Sequence, residues 1–227
     1  MPKPVKTHRG LTTDHVVDAA LALADAGGID AVSLRRLASV LDVTPMAIYR
    51  HVRDKADLLD LMADRLLRQL ELPGPNDSPW QASLTQVGTG FMAVLRTHPA
   101  APLLLARPFT SEAALQVSET MLGILDRAGF RPAEAVRLLQ VLTGMLLGPA
   151  IHRAAYAAAW REAPMDAVPN AAALTLTPDQ FPHLLRVAGE LMDWPAGPEA
   201  DRLLIDLWVA GVDRLAGRQG GTATRGP

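Results

Sequence analysis

Apolar positions in this chain recur at three- and four-residue spacing, and no segment alternates apolar and polar residues over the length of a strand. The pattern predicts helices and no sheet. Val16, Val17, Ala20, Leu21 and Leu23 mark one face of a first helix, capped within Thr12–Thr13–Asp14 and ended by Gly27–Gly28. Ser33 caps a short second helix that turns Leu34, Leu37, Ala38 and Leu41 inward. A tight connection follows at Asp42–Val43. Thr44 then stands at a cap position with Pro45 at the first helical position, where its missing N–H costs nothing, and this third helix is predicted to run to about Val52. Asp54 caps a fourth helix with the face Leu58, Leu59, Leu61, Met62 and Leu66.

The stretch LPGPNDSP at 72–79 is the strongest linker signal. Longer helices are predicted after it: 80–97, a shorter one over 98–106 opened by Pro99, and 111–128 with Gly129 as its stop. Pro132 opens a long segment to about Glu162, with a kink or break expected at Gly148–Pro149. Residues 163–177 read as loop, 178–194 as a helix irregular near Pro182, and 198–216 as the last helix, with Leu203, Leu204, Leu207, Trp208, Gly211 and Leu215 on one side. The expected architecture is all-α. A three-helix N-terminal domain with a basic arm occupies 1–55, a larger helical domain 56–216 begins with a connecting helix at 56–70, and 217–227 is a flexible tail.

Composition sharpens this. Hydrophobic residues make up 49% and charged residues 20%, the balance of a folded soluble protein, while 4% aromatics and an Ala/Leu bias favour helices. The absence of cysteine excludes disulfide scaffolds, thiolate zinc sites and cysteine nucleophiles. The basic N-terminus has no apolar stretch behind it, and no run of about 18 uninterrupted apolar residues exists, so neither a signal peptide nor a membrane span is expected and the protein reads as cytoplasmic. The net charge of −2 splits unevenly: residues 1–55 hold eight Lys/Arg against six Asp/Glu, and residues 56–227 hold fourteen against eighteen. All three lysines, Lys3, Lys6 and Lys55, lie in the first part, a mild pointer to an anionic partner.

Two short helices at Ser33–Leu41 and Thr44–Val52, joined by two residues, must cross steeply. That is a helix-turn-helix, whose second helix can enter a DNA major groove. Leu37, Ala38, Leu41, Val43 and Ile48 fix the crossing. The outer face carries Thr44, Pro45, Met46, Ala47, Tyr49, Arg50 and His51. Arg50 can fork onto guanine, Met46 and Ala47 can touch a thymine methyl, and Thr44, Tyr49 and His51 suit phosphates. Lys55 opens the next helix, where its ammonium and the helix N-terminus can hold a phosphate together. Arg35 supports from the preceding helix, and Lys3, Lys6 and Arg9 form an arm aimed at a neighbouring groove. The competing reading, a hairpin in an unrelated bundle, does not explain Tyr49, Arg50 and His51 left outward beside Lys55.

The stretch SLRRLASVLDVTPMAIYRHVRDKADLLD at 33–60 resembles the TetR family of bacterial repressors. SPWQ at 78–81, Phe91 with Leu95 and His98, Arg107–Pro108, Gly129–Phe130 and TPDQFPHLL at 177–185 are similar to the tetracycline repressors at comparable spacing. The resemblance covers roughly 12–216. It implies an all-helical homodimer that binds double-stranded operator DNA and carries a ligand pocket in each C-terminal domain. The implied pocket residues are Leu67, Val87, Phe91, Leu95, Leu103, Arg107, Met121, Thr143 and Leu147, with Met145 beside them. At four of these the family pattern is broken: tetracycline repressors present His, Asn, the magnesium-binding His and Gln where this chain has Leu67, Val87, Leu103 and Met121. The effector is therefore expected to be hydrophobic and metal-independent, with no cofactor.

Other chemistry finds little footing. None of His8, His15, His51, His98, His152 and His183 pairs with another at helical spacing, and HExxH, nucleophile-elbow, dinucleotide and P-loop patterns are absent. No catalytic or metal-ligating residue is expected. The pocket residues have an equally serious reading as plain core. Arg107 either complements a helix end or meets an anionic ligand group. An isologous dimer interface is expected from Leu138, Leu142, Leu146, Leu204, Leu207, Trp208 and Gly211. The function expected is a ligand-responsive transcriptional repressor and not an enzyme. The alternative is a helical small-molecule-binding or enzymatic protein with a vestigial DNA-binding domain.

Overall fold

In the computed structural model the chain is described over residues 10–76, 78–108, 110–162, 177–187 and 198–222. Ten α-helices run through these segments: α1 Thr13–Gly27, α2 Leu34–Val40, α3 Pro45–Ile48, α4 Lys55–Leu67, α5 Trp80–Thr97, α6 Ala101–Leu105, α7 Glu112–Arg127, α8 Pro132–Glu162, α9 Pro182–Arg186 and α10 Pro198–Thr222. The starts are set by the caps that the sequence advertises. Thr12 accepts from His15 N, Ser33 from Arg36 N, Asp54 from Asp57 N and Ser111 from Ala114 N. Gly129, at φ +90°, closes α7: Phe130 N donates to Leu125 O at 3.1 Å, and Phe130 is buried behind the turn. The turn between α2 and α3 is closed the same way, with Val43 N donating to Ala38 O at 2.9 Å, but its left-handed residue is Asp42, at φ 53°.

α1–α3 form the head. Leu37 and Ile48 are fully buried at their crossing, with Ala38 small enough to let the helices close up. α4 leaves this head and packs against α1 on one side and α6 and α7 on the other. Its buried face, Leu58, Leu59, Met62, Ala63, Leu66 and Leu67, joins the head's core to that of the larger bundle. There α10 packs on α5 and α7 on α8. α5 meets α10 closely at Gly88, where a Cβ would stand 2.9 Å from the Trp208 ring. The linker before α5 is strapped down by Arg127, which donates to Pro75 O and, at 2.9 Å, to Ser83 Oγ.

Several expectations need revision. α3 ends at Ile48, not near Val52, because His51 N and Val52 N both bond back to Ile48 O and tighten the chain into turns. α6 begins at Ala101, not at His98, since Ala101 N and His98 O first close the turn after Pro99. α8 continues as helix through Gly148–Pro149, so of the kink or break expected there the break does not occur. α10 runs to Thr222, so the first six positions of the expected tail are helical. The expected loop at 163–176, the stretch 188–197 and the arm with Lys3, Lys6 and Arg9 lie outside the described residues. By length and composition 132–155 would suit a membrane span, at mean hydropathy 1.3. Here α8 instead buries Leu142, Leu146, Leu147 and Ala150 in the bundle.

Candidate functional site

Two features stand out, one at each end of α4. The first is the outward surface of the head. Thr44, Pro45, Met46, Tyr49 and Arg50 are exposed, Met46 at 70% and Tyr49 at 51%, although both belong to types that normally bury. Ala47 and His51 are partly covered, and His51 Nδ1 lies 3.3 Å from Thr13 Oγ1, which ties the end of the α3 turn to α1. Arg35 is exposed on α2. Lys55 is exposed at the first turn of α4, its Nζ 3.5 Å from Ile29 O. Gly10, Leu11, Thr44, Ala47, Arg50 and His51 border an open cleft of about 590 Å³ between the head's entry and α3. Residues 44–51 carry no carboxylate. Donors, methyls and an aromatic hydroxyl on one outward face suit a nucleic-acid groove and its phosphates.

Next to this face, Arg53 and Asp57 lock the entry of α4. Arg53 donates from its backbone N at 2.8 Å and from Nη2 at 2.7 Å to the Asp57 carboxylate. These bonds, the side-chain one first, hold the Asp57 carboxyl below its ordinary range.

The second feature is a cavity of about 710 Å³ lined by α4, α5, α7, α8, α10 and the end of α6. It brings together six of the nine residues expected to bind a ligand: Leu67, Val87, Phe91, Arg107, Met121 and Thr143. Three are elsewhere. Leu103 is 47% exposed, because the five-residue α6 buries Ala101, Pro102 and Leu104 and turns Leu103 out. Leu95 and Leu147 are buried core residues that do not border the cavity. Sequence reasoning missed Leu105, Ala106 and Pro108 at the end of α6 and just after it, the stripe Ala114, Val117 and Ser118 on α7, and Leu139, Gln140 and Leu146 on α8. The signal was available, since each stripe extends Met121 or Thr143 by one or two helical turns. Among the described lining residues none is a histidine or a carboxylate.

The expected dimer residues divide. Leu142, Leu146 and Trp208 are consumed by their own subunit, at 3%, 3% and 2% exposure, and Leu146 and Trp208 border the cavity. Leu138 and Leu204 are partly covered, while Leu207 is 58% exposed and Gly211 is open. The outward face of α8 and α10 is Val141, Gly144 and Gly148 beside Leu203, Leu207 and Gly211, with nothing within 4 Å of a Cβ placed on any of the three glycines. The two helices run antiparallel: Arg153 meets Asp201 at 3.8 Å near one end, and Val141 and Leu215 border one cleft near the other.

Head and bundle are joined by polar ties. Asp25 of α1 receives His98 Nδ1 at 2.8 Å and Ala100 N at 3.1 Å. Arg65 of α4 donates to Asp18 of α1 at 3.1 Å. Asp64 accepts from Ala113 N at 3.2 Å and from Arg68 at 2.6 Å. Burial pushes the Asp64 carboxyl up, and bonds from Arg68, Ser111 and Ala113 N outweigh it, so the net shift is downward. Arg107 pairs with Asp60 at 3.2 Å.

Comparison with known proteins gives two family matches. Residues 16–62 match the model for bacterial regulatory proteins of the tetR family, and residues 72–194 match the tetracyclin repressor-like C-terminal domain. The chain is 35% identical over 151 residues to the HTH-type transcriptional repressor DrrR1 of Streptomyces coeruleorubidus, a match covering 66% of this chain but only 54% of that protein. It is 30% identical over 195 residues to the tetracycline repressor protein class D of Escherichia coli, covering 84% of each. Among solved structures it resembles Streptomyces coelicolor ActR in complex with actinorhodin, at TM-score 0.71 and 25% identity, covering 91% of this chain and 96% of that one.

Proposed function

The chain belongs to the TetR family of bacterial regulatory proteins, and from that premise we propose that it is a repressor: a homodimer that holds two α3 heads on an operator and releases them when a hydrophobic small molecule fills the cavity. The observation that carries this reading is the joining, through the buried face of one helix, of an outward α3 face free of carboxylates to a largely apolar cavity. The head on its own reads too few base pairs for useful specificity, so two must be held about one DNA turn apart. The exposed Val141–Gly144–Gly148 and Leu203–Leu207–Gly211 face supports an isologous four-helix pairing, with the glycines allowing close approach. An operator-binding protein of this kind works in the cytoplasm, where the DNA is, and no catalytic step is part of its action.

The lining supports a metal-independent effector, for no imidazole or carboxylate stands among its described residues to hold a divalent ion. Burial at about 25 cal/mol per Å² of apolar area supplies micromolar affinity once ordering costs are met. Release requires the ligand to bind one arrangement of the dimer better than the other. The lever is the end of α6 and the Leu105–Pro108 turn, which border the cavity and lie against α4, and not Leu103.

Two measurements test the reading. Binding to random duplex DNA should weaken steeply with salt as counterions are released. Light scattering at micromolar concentration should give twice the chain mass, with Leu207→Glu returning it to the monomer. A salt-independent or absent affinity for DNA, or a monomeric wild type, would overturn it.

A further inference from the structure

The polar groups of the cavity are unequal. Ser118 Oγ donates to Ala114 O and Thr143 Oγ1 to Leu139 O, each at 2.8 Å, so both hydroxyl hydrogens are used within their own helices and only lone pairs remain. Arg107 is the one charged side chain among the described lining residues. Its Nη2 lies 3.2 Å from Asp60 Oδ1 on α4. Yet Arg107 Nη1 and Asp60 Oδ1, both shielded from solvent, make no hydrogen bond within the described residues. The guanidinium therefore presents a fork of donors to one misaligned partner. A partly satisfied, partly buried ion pair is poorly compensated for its desolvation. A carboxylate that takes two parallel N–H groups satisfies the same fork completely.

We infer that the cavity takes an apolar acid, a molecule with an aromatic or hydrocarbon body and one carboxylate, whose anion displaces Asp60 from Arg107. This rests on the effector reading above and specifies its chemistry. The body lies against Leu67, Val87, Phe91 and Met121, and hydroxyl groups on it find the spare lone pairs of Ser118 and Thr143. The exchange also supplies the signal. Asp60 stands between Asp57, near the head, and Asp64, which is bonded to Ala113 N of α7. Taking Arg107 away unties α4 from the turn after α6 while its tie to α7 holds, so α4 can pivot there and carry the head with it. The freed Asp60 side chain, already 43% exposed, turns to water.

The probes are 1-pyrenebutyric acid and its methyl ester, which share a body and differ in charge, titrated by calorimetry into the full-length protein at neutral pH. The acid should bind about tenfold or more tightly than the ester, the worth of a charge-assisted pair. Arg107→Gln should abolish that difference by weakening the acid to about the level of the ester, and binding of the ester that persists shows the variant folded. Asp60→Asn, which removes the competitor, should tighten the acid and not the ester. Equal binding of acid and ester, absence of binding by either, or equal weakening of both by Arg107→Gln would overturn the proposal. Release of duplex DNA is scored separately. An acid preference without release counts against the repressor reading alone, and release by the ester as readily as by the acid counts against the carboxylate exchange alone.

Discussion

Asp25 is the tie whose removal should be felt most clearly. Its Oδ1 accepts from Ala100 N at 3.1 Å and its Oδ2 from His98 Nδ1 at 2.8 Å, so one carboxylate joins α1 of the head to the turn between α5 and α6. Gln69 Nε2, 3.2 Å from His98 Nε2, can only donate, which places the imidazole hydrogen on Nδ1, facing Asp25. Asp25→Ala deletes both acceptors. Ala100 is 4% exposed, so its N–H loses its partner where water reaches it poorly, at about 1–3 kcal/mol, and the His98 bond adds about 1 kcal/mol. The sum is about 2–4 kcal/mol. Asp25→Asn keeps an oxygen for Ala100 N but turns its amide N–H toward His98, so it should cost the His98 bond alone, about 1 kcal/mol. Urea unfolding of the full-length protein, read at constant m-value, measures both. Equal losses for the two variants, or a loss below about 0.5 kcal/mol for Asp25→Ala, would refute the claim that an acceptor for Ala100 N is what Asp25 provides.

Three other outcomes are expected. Lys55→Ala should weaken binding to all duplexes alike and shallow the salt slope by about one, whereas Arg50→Ala should cost about 1–3 kcal/mol and relax one operator position, both read by fluorescence anisotropy. At the left-handed Asp42, φ 53°, the valine variant should be less stable than the glycine variant by about 1–2 kcal/mol on thermal melting, and equal stability would remove strain as the issue. Asp57, whose carboxyl Arg53 holds below its ordinary range, contributes stability that is present above that range and lost as pH falls through the lowered value. Wild type should therefore lose more stability than Asp57→Asn between about pH 5 and pH 3 in acid titrations followed by circular dichroism.

The head was legible in the sequence because everything that builds it is local: the Ser33 and Asp54 caps, Pro45 at a helix start, and apolar positions at helical spacing. The cavity was half legible. Leu103 failed because its assignment rests on its distance from Arg107–Pro108 in the family pattern, and that spacing does not say which side of the short α6 faces inward: Ala101, Pro102 and Leu104 take the buried side. Trp208 failed for another reason. An apolar stripe says which residues bury and not against what, and Gly88 on α5 claims the Trp208 ring for its own subunit. The paired glycines near the C-terminus read as tail, since glycine is a poor helix former, yet α10 carries through to Thr222. The Asp60–Arg107 and Asp25–His98 contacts join residues far apart in the chain, and no spacing rule reaches them.

The central claim is that this molecule reads DNA as a symmetric dimer and answers to a cavity ligand. Sequencing the fragments that the purified full-length protein selects from its source genome tests it most directly. The account predicts a small set of enriched fragments sharing an inverted repeat whose half-sites are centred about one helical turn apart. Enrichment should vanish with Arg50→Ala and Tyr49→Ala combined. A selected pool indistinguishable from the input, or single half-sites without a symmetric partner, would contradict it.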